Sequence, residues 1–154
     1  MTPLFKKLNL GAAQEIHVLD APASFEPELA ALSGVRVIRT AHGPVCFALA
    51  FVKTLTEVGQ ATQHLTAQAA ADATLWMAYP KGTSKAYRCE FNRDTGWAAL
   101  GQAGYEPVRQ VAIDADWSAL RFRQVAHIKT MRRDPAGAIS AEGREKAKER
   151  GAGR

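Results

Sequence analysis

The feature that most constrains the fold is an apolar run without alternation, Thr74-Leu75-Trp76-Met77-Ala78-Tyr79. It halts at Pro80 and gives way to a small, basic, hydroxyl-rich stretch, Lys81-Gly82-Thr83-Ser84-Lys85. A second run of the same kind, Val45-Cys46-Phe47-Ala48-Leu49-Ala50-Phe51-Val52, lies upstream. Strands buried on both faces read this way, which is the habit of a parallel sheet covered by helices. In such sheets ligands sit in the crevice outside the carboxyl ends of the strands. Residues 81–85 therefore mark where a chain of this kind would do its work.

Around these runs strands and helices alternate. Residues 4–10 are expected as a short helix or turn closed by Gly11, and residues 15–19 as a first strand ending at Asp20-Ala21-Pro22. Ser24 is placed to cap a short helix, with Pro27 in its first turn and Gly34 as its stop. Residues 35–39 alternate enough for a second strand near a sheet edge, and 45–52 form the third. Thr54 or Thr56 opens a helix running to about Ala71, and residues 74–80 form the fourth strand. Asn92, Asp94 or Thr95 is a candidate cap for a helix over 96–103 that stops at Gly104. Residues 107–114 and 120–125 both alternate, and the short link between them reads as an antiparallel hairpin.

The fold class that follows is α/β: a doubly wound, mostly parallel sheet of order 2-1-3-4 plus a C-terminal antiparallel hairpin beside strand 4. A Rossmann-like three-layer sandwich is expected, and its layout resembles a shortened class I methyltransferase sheet. The 154 residues suit one domain, expected over 1–131. Residues 132–154 are expected as a charged tail, since they carry seven basic and four acidic side chains and almost no large apolar one. The tail thus holds +3 of the formal +5, and the high pI says little about the folded body. No apolar run approaches the roughly 20 residues of a membrane span, and the first residues lack a secretory signal pattern. Cys46 and Cys89 are neither a CxxC pair nor a disulfide framework, so a cytoplasmic location is expected.

Over about residues 4–128 the chain resembles an uncharacterised bacterial family of short Rossmann-like, methyltransferase-like domains. The resemblance rests on Lys7-Leu8 with Gly11, on Asp20-Ala21-Pro22, on Leu75-Trp76-Met77-Ala78-Tyr79-Pro80-Lys81 with Ser84, and most on residues 111–122. That last stretch reads Val111-Ala112-Ile113-Asp114-Ala115-Asp116-Trp117-Ser118-Ala119-Leu120-Arg121-Phe122. The family's pattern has glycine where Ala119 stands, which slightly crowds that turn. The resemblance implies the fold. The family carries no established reaction and lends no catalytic residues.

A site for a dinucleotide or S-adenosylmethionine needs glycines after strand 1, where backbone must approach the ligand closely, and an acidic side chain after strand 2 for ribose hydroxyls. This chain has Asp20-Ala21-Pro22-Ala23-Ser24 at the first place and Arg39-Thr40 at the second. Arg39 could at most meet a 2′-phosphate. The loop 81–85 is the better signal: glycine permits a nest of backbone N–H groups, the hydroxyls donate, and two ammonium groups add charge, which together suit phosphate or carboxylate. Lys53 and Thr54 end strand 3 on the same expected rim. The candidate ligand-binding set is therefore Asp20, Ser24, Lys53, Thr54, Lys81, Gly82, Thr83, Ser84 and Lys85. The bland reading of that loop is a solvated basic turn.

Other residues favour structural roles. Asp114 and Asp116 suit a turn held by side-chain to backbone bonds better than acid–base or metal work, with Trp117 packing over the sheet end. His17, His42, His64 and His127 show no ligand spacing, and no G-x-S-x-G or H-E-x-x-H pattern occurs. Trp76 and Tyr79 read as packing residues. Arg121 and Arg123 share a strand face opposite Leu120 and Phe122 and are expected to be solvated; Arg88, Arg93 and Arg109 join them as a basic surface.

The leading functional expectation is a non-catalytic Rossmann-like domain that binds a small anionic ligand or a protein partner. No catalytic residue, metal ligand or cofactor is nominated. Two alternatives stand beside it. One is an S-adenosylmethionine-dependent methyltransferase with an atypical cofactor loop. The other is a nucleic-acid accessory module using the basic tail, ranked lower because acids intermix with the bases and no aromatics interleave.

Overall fold

The run from Val45 forms the strand that its composition demands. In the computed structural model, which describes residues 2–128, β3 (Val45–Phe51) is buried along both faces except at Cys46, which is exposed near its start. Its neighbours are β1 (Glu15–Leu19) and β4 (Ala69–Pro80), both parallel to it. Trp76, Met77 and Ala78 of β4 are fully buried, as a strand between two helix layers requires. The short strand β2 (Arg36–Ile38) pairs parallel with β1 at the border, and β6 (Trp117–Gln124) and β5 (Tyr105–Ala112) complete the other side antiparallel. The order is β2-β1-β3-β4-β6-β5. The expected order 2-1-3-4 with a terminal hairpin is what the chain adopts, and β6 is the hairpin strand that lies against β4.

Each sheet face has its own core. On one, Val58, Ala61 and Leu65 of α3 (Leu55–Gln68) and Leu100 of α4 (Ala98–Gln102) cover Ala48, Ala50, Leu75 and Met77. On the other, Leu4, Phe5 and Leu8 from α1 (Pro3–Lys7) and its cap join Phe25 and Leu29 over Ile16, Val18, Leu49 and Trp76. Leu29 belongs to the one-turn helix α2 (Glu26–Ala30). The Trp76 indole N–H donates to the Leu8 carbonyl at 2.8 Å, so the buried polar tip of that side chain is satisfied.

Several local expectations are corrected. Ser24 caps nothing: it is exposed inside a 3-10 turn, Ala23–Phe25, and α2 follows with no side-chain cap. Helix α3 starts at Thr54, through a full capping box with Glu57, but stops at Gln68 rather than near Ala71. Its alanine-rich end is taken by β4 instead. Ala69 pairs with Val45, and the next registered pair is Phe47 with Thr74, so residues 70–73 bulge, with Asp72 at φ 53°. Asn92, Asp94 and Thr95 form a turn of their own through Asn92 Oδ1, while α4 begins at Ala98 behind Trp97.

The hairpin strands run about two residues earlier than alternation suggested. Asp114 Oδ1 accepts from the N–H groups of Asp116 and Trp117, both at 2.8 Å, which draws residues 113–116 into the turn. Pro107 is tolerated because β5 borders the sheet and carries a register shift between Pro107 and Arg109. Arg121 and Arg123 are less solvated than expected. Both are half-buried, and Arg123 makes a two-pronged ion pair with Asp72 at 2.6 Å. The tail 132–154, and with it the domain boundary at 131, lies outside the described residues. No described helix is long and apolar enough to cross a membrane.

Candidate functional site

Where β4 ends, the chain is fastened to the hairpin. The Lys81 N–H donates to the Asp116 carbonyl at 2.7 Å, and the Ser84 N–H returns to the Lys81 carbonyl at 3.0 Å, leaving Gly82 and Thr83 at the apex of a turn. Ser84 Oγ donates to Asp116 Oδ1 at 2.8 Å and accepts from the N–H groups of Ala86 and Tyr87. The chain then crosses the tips of β3 and β4. Tyr87 packs on Trp117 with ring centroids 4.9 Å apart on one side of the sheet, whereas Phe91 packs on Trp97 at 4.8 Å on the other. Between them the Glu90 N–H donates to the Lys53 carbonyl at 3.1 Å, and the Glu90 carboxylate accepts from the Leu55 N–H. The segment is tied down at both faces and at its middle.

Between this crossing segment and the hairpin lies a cleft of about 590 Å³. Buried Tyr79 and Phe91 contribute its apolar floor, and Gln110 and Ser118 its hairpin wall. Lys81, Arg88 and Arg93 line it, and no carboxylate does. Among the described residues neither Lys81 nor Arg88 forms an ion pair; Arg93 lies 3.5 Å from Asp94 in an exposed contact. Arg93 also donates to Gln110 Oε1 at 3.3 Å, and Gln110 Nε2 donates to the Tyr79 hydroxyl at 3.1 Å. Burial pushes both the Tyr79 phenol and the Cys89 thiol up, which keeps these two walls neutral near pH 7. Lys81, Arg88 and Arg93 are the charged side chains of the lining, and all three are cationic.

Of the residues nominated from sequence, the structure brings Lys81, Gly82, Thr83 and Ser84 to this cleft and Lys85 to the exposed turn beside it. The others stand elsewhere. Thr54 spends its hydroxyl on the Glu57 N–H at the start of α3, and Lys53 Nζ lies 5.8 Å from the Tyr87 ring centroid. Asp20 is exposed with φ 57°, and neither it nor Ser24 lines the cleft. The opening is thus displaced from the β1–β3 junction towards β4 and the hairpin. Sequence reasoning missed Cys89, Phe91, Asn92 and Gln110 as lining residues and knew Arg88 and Arg93 only as surface bases. One signal was available: Tyr87, Cys89 and Phe91 alternate with polar residues, as befits an extended segment laid over an apolar edge.

No family model matches the chain, and no curated protein matches it by sequence. Solved structures do match by shape. N-methyltransferase NodS from Bradyrhizobium japonicum in complex with S-adenosyl-L-homocysteine aligns at a TM-score of 0.50 and 12% identity, covering 77% of this chain and 83% of that one. TrmN from Thermus thermophilus aligns at 0.50 and 10% identity over 79% of this chain, which spans 47% of TrmN. At such identity the likeness shows a methyltransferase-like Rossmann fold and nothing of activity.

That fold raises the question of whether the end of β1 fits S-adenosylmethionine. Asp20 adopts the left-handed backbone where such loops use glycine, but brings a side chain, and Pro22 withholds an N–H. After β2 the position for a ribose-binding acid holds Arg39, whose guanidinium pairs with both oxygens of Glu26 at 2.7 and 2.8 Å. That pairing holds the Glu26 carboxyl below the usual carboxylate range and engages Arg39, which is then not free for a 2′-phosphate. His17 is buried beside it, its Nδ1 2.7 Å from the Thr40 carbonyl. These residues do not fit the adenosyl cofactor at the end of β1.

Proposed function

We propose that this chain is a methyltransferase-fold domain that binds a small anionic ligand between the crossing segment and the hairpin, with no catalytic group assigned. One observation carries the reading: a cleft lined by Lys81, Arg88 and Arg93 and by no carboxylate. Lys81 and Arg88 form no ion pair among the described residues, and Arg93 meets only the exposed Asp94, so an anion in the cleft satisfies charge that the fold leaves unpaired. Guanidinium and ammonium groups next to a glycine-containing turn supply the donors that phosphate oxygens take.

Calorimetric titration of inorganic pyrophosphate tests the reading. Binding is expected, weakening at least tenfold in a Lys81→Ala, Arg88→Ala double variant, since each charge-assisted hydrogen bond contributes about 1.5–3 kcal/mol. Equal affinity in the parent and the double variant sinks the proposal. S-adenosylmethionine is titrated in parallel. Heat from that titration would favour a methyltransferase with an atypical cofactor loop, and its absence leaves the anion reading in place.

A further inference from the structure

The cleft is larger and less uniformly polar than a bare inorganic anion needs. At about 590 Å³ it falls within the range of small-molecule sites. Its cations belong to the turn and crossing segment, whereas its floor is made of Tyr79, Pro80 and Phe91, all buried and neutral. Asn92 Oδ1 is occupied by the Asp94 N–H and the Thr95 hydroxyl, so its Nδ2 is a donor with no acceptor among the described residues. Gly82 also lines the cleft, and a Cβ built there meets nothing within 4 Å, so packing does not require glycine at this turn.

Resting on the anion-binding reading above, we infer that the ligand is a planar-ring compound bearing a phosphate, of the mononucleotide class. Its phosphate meets Lys81, Arg88, the Gly82 backbone and the Thr83 hydroxyl. Its ring lies against the Tyr79–Phe91 floor within reach of Asn92 Nδ2. Aromatic side chains take rings of this kind by offset or edge contacts, and a single amide donor gives a ring acceptor something to bind. No bond is made or broken in this proposal.

The test compares inorganic pyrophosphate, ribose 5-phosphate and nucleoside 5′-monophosphates on the full chain by calorimetry, with saturation-transfer NMR reporting which ligand protons touch the protein. At least one nucleoside monophosphate is expected to bind ten times more tightly than ribose 5-phosphate, with its ring protons receiving the strongest saturation. Gly82→Ala is expected to weaken every phosphate ligand about tenfold while leaving the melting temperature of the free protein unchanged or slightly higher. If ribose 5-phosphate equals the nucleotides, or only ribose protons are saturated, the ring inference is wrong and the anion reading survives. If no phosphate compound binds, the anion reading itself has failed first. A ribo-oligonucleotide that binds far more tightly than any mononucleotide, with steep salt dependence, would assign the cleft to a nucleic-acid strand and overturn the small-molecule class.

Discussion

Single residues decide how the cleft is held open, and Gly96 shows it most directly. Its φ is 91°, and a Cβ there would lie 2.5 Å from Phe91 Cβ and 2.8 Å from Phe91 Cγ, so both the backbone and the floor residue would have to shift. Gly96→Ala is expected to destabilise the fold by about 3 kcal/mol, combining a left-handed alanine with overpacking. The same change should weaken binding of a nucleoside monophosphate, because the Phe91 floor proposed to hold its ring is displaced. Urea unfolding and calorimetry on one sample check both, and unchanged stability would contradict the assigned contact. Residues were also where sequence reading was least complete. Lys81 and Ser84 were legible as residues of the turn after β4, where a cleft lies, yet Ser84 is largely occupied in fastening that turn to Asp116. Gln110 was invisible, since nothing local to residue 110 announces that it faces Tyr79, 31 positions away.

At the scale of elements, the parallel core was readable because a strand buried on both faces cannot alternate, and β3 and β4 do not. What composition could not settle was the boundary between α3 and β4. Alanines 69–71 favour helix by propensity, yet pairing of Ala69 with Val45 and the ion pair from Arg123 to Asp72 draw them into the sheet. Asp72 stands at φ 53° inside this bulge, and Arg123 holds its carboxyl below the usual carboxylate range. A depressed folded-state pKa means the carboxylate contributes stability above its unfolded value near 3.8 and loses it as pH falls through the lower folded value. Both side chains are about a third exposed, so screening keeps the effect to about 1 kcal/mol or less. Asp72→Asn keeps a residue that tolerates left-handed backbone and removes only the charge. Its unfolding free energy should fall below that of the parent at pH 6 and converge with it near pH 2. A constant gap at both pH values would mean the ion pair is not what holds the bulge.

For the whole molecule, the question is which charge would hold the anion proposed above. Residues 132–154 carry +3 and the remaining 131 residues only +2, so a screen based on net charge would credit the tail with any affinity for anions. The geometry argues otherwise, because Lys81, Arg88 and Arg93 line one cleft while acids elsewhere in the body cancel most of its charge. Local concentration of like charge sets the potential a small ligand meets, and beyond a Debye length of about 8 Å at physiological salt the rest is screened. Replacing Arg144, Lys146, Lys148 and Arg150 by glutamine in the full chain should therefore leave the thermal stabilisation by pyrophosphate unchanged. Replacing Lys81 and Arg88 should cut it by about half or more, although that change removes fewer charges. Saturation at a hundredfold excess over Kd corresponds to about 2.7 kcal/mol, a shift of several degrees in a domain of this size and readily measured. If instead the tail variant loses the shift and the cleft variant keeps it, the anion is being held by the tail, and the cleft is only the gap left where a loop crosses the strand tips.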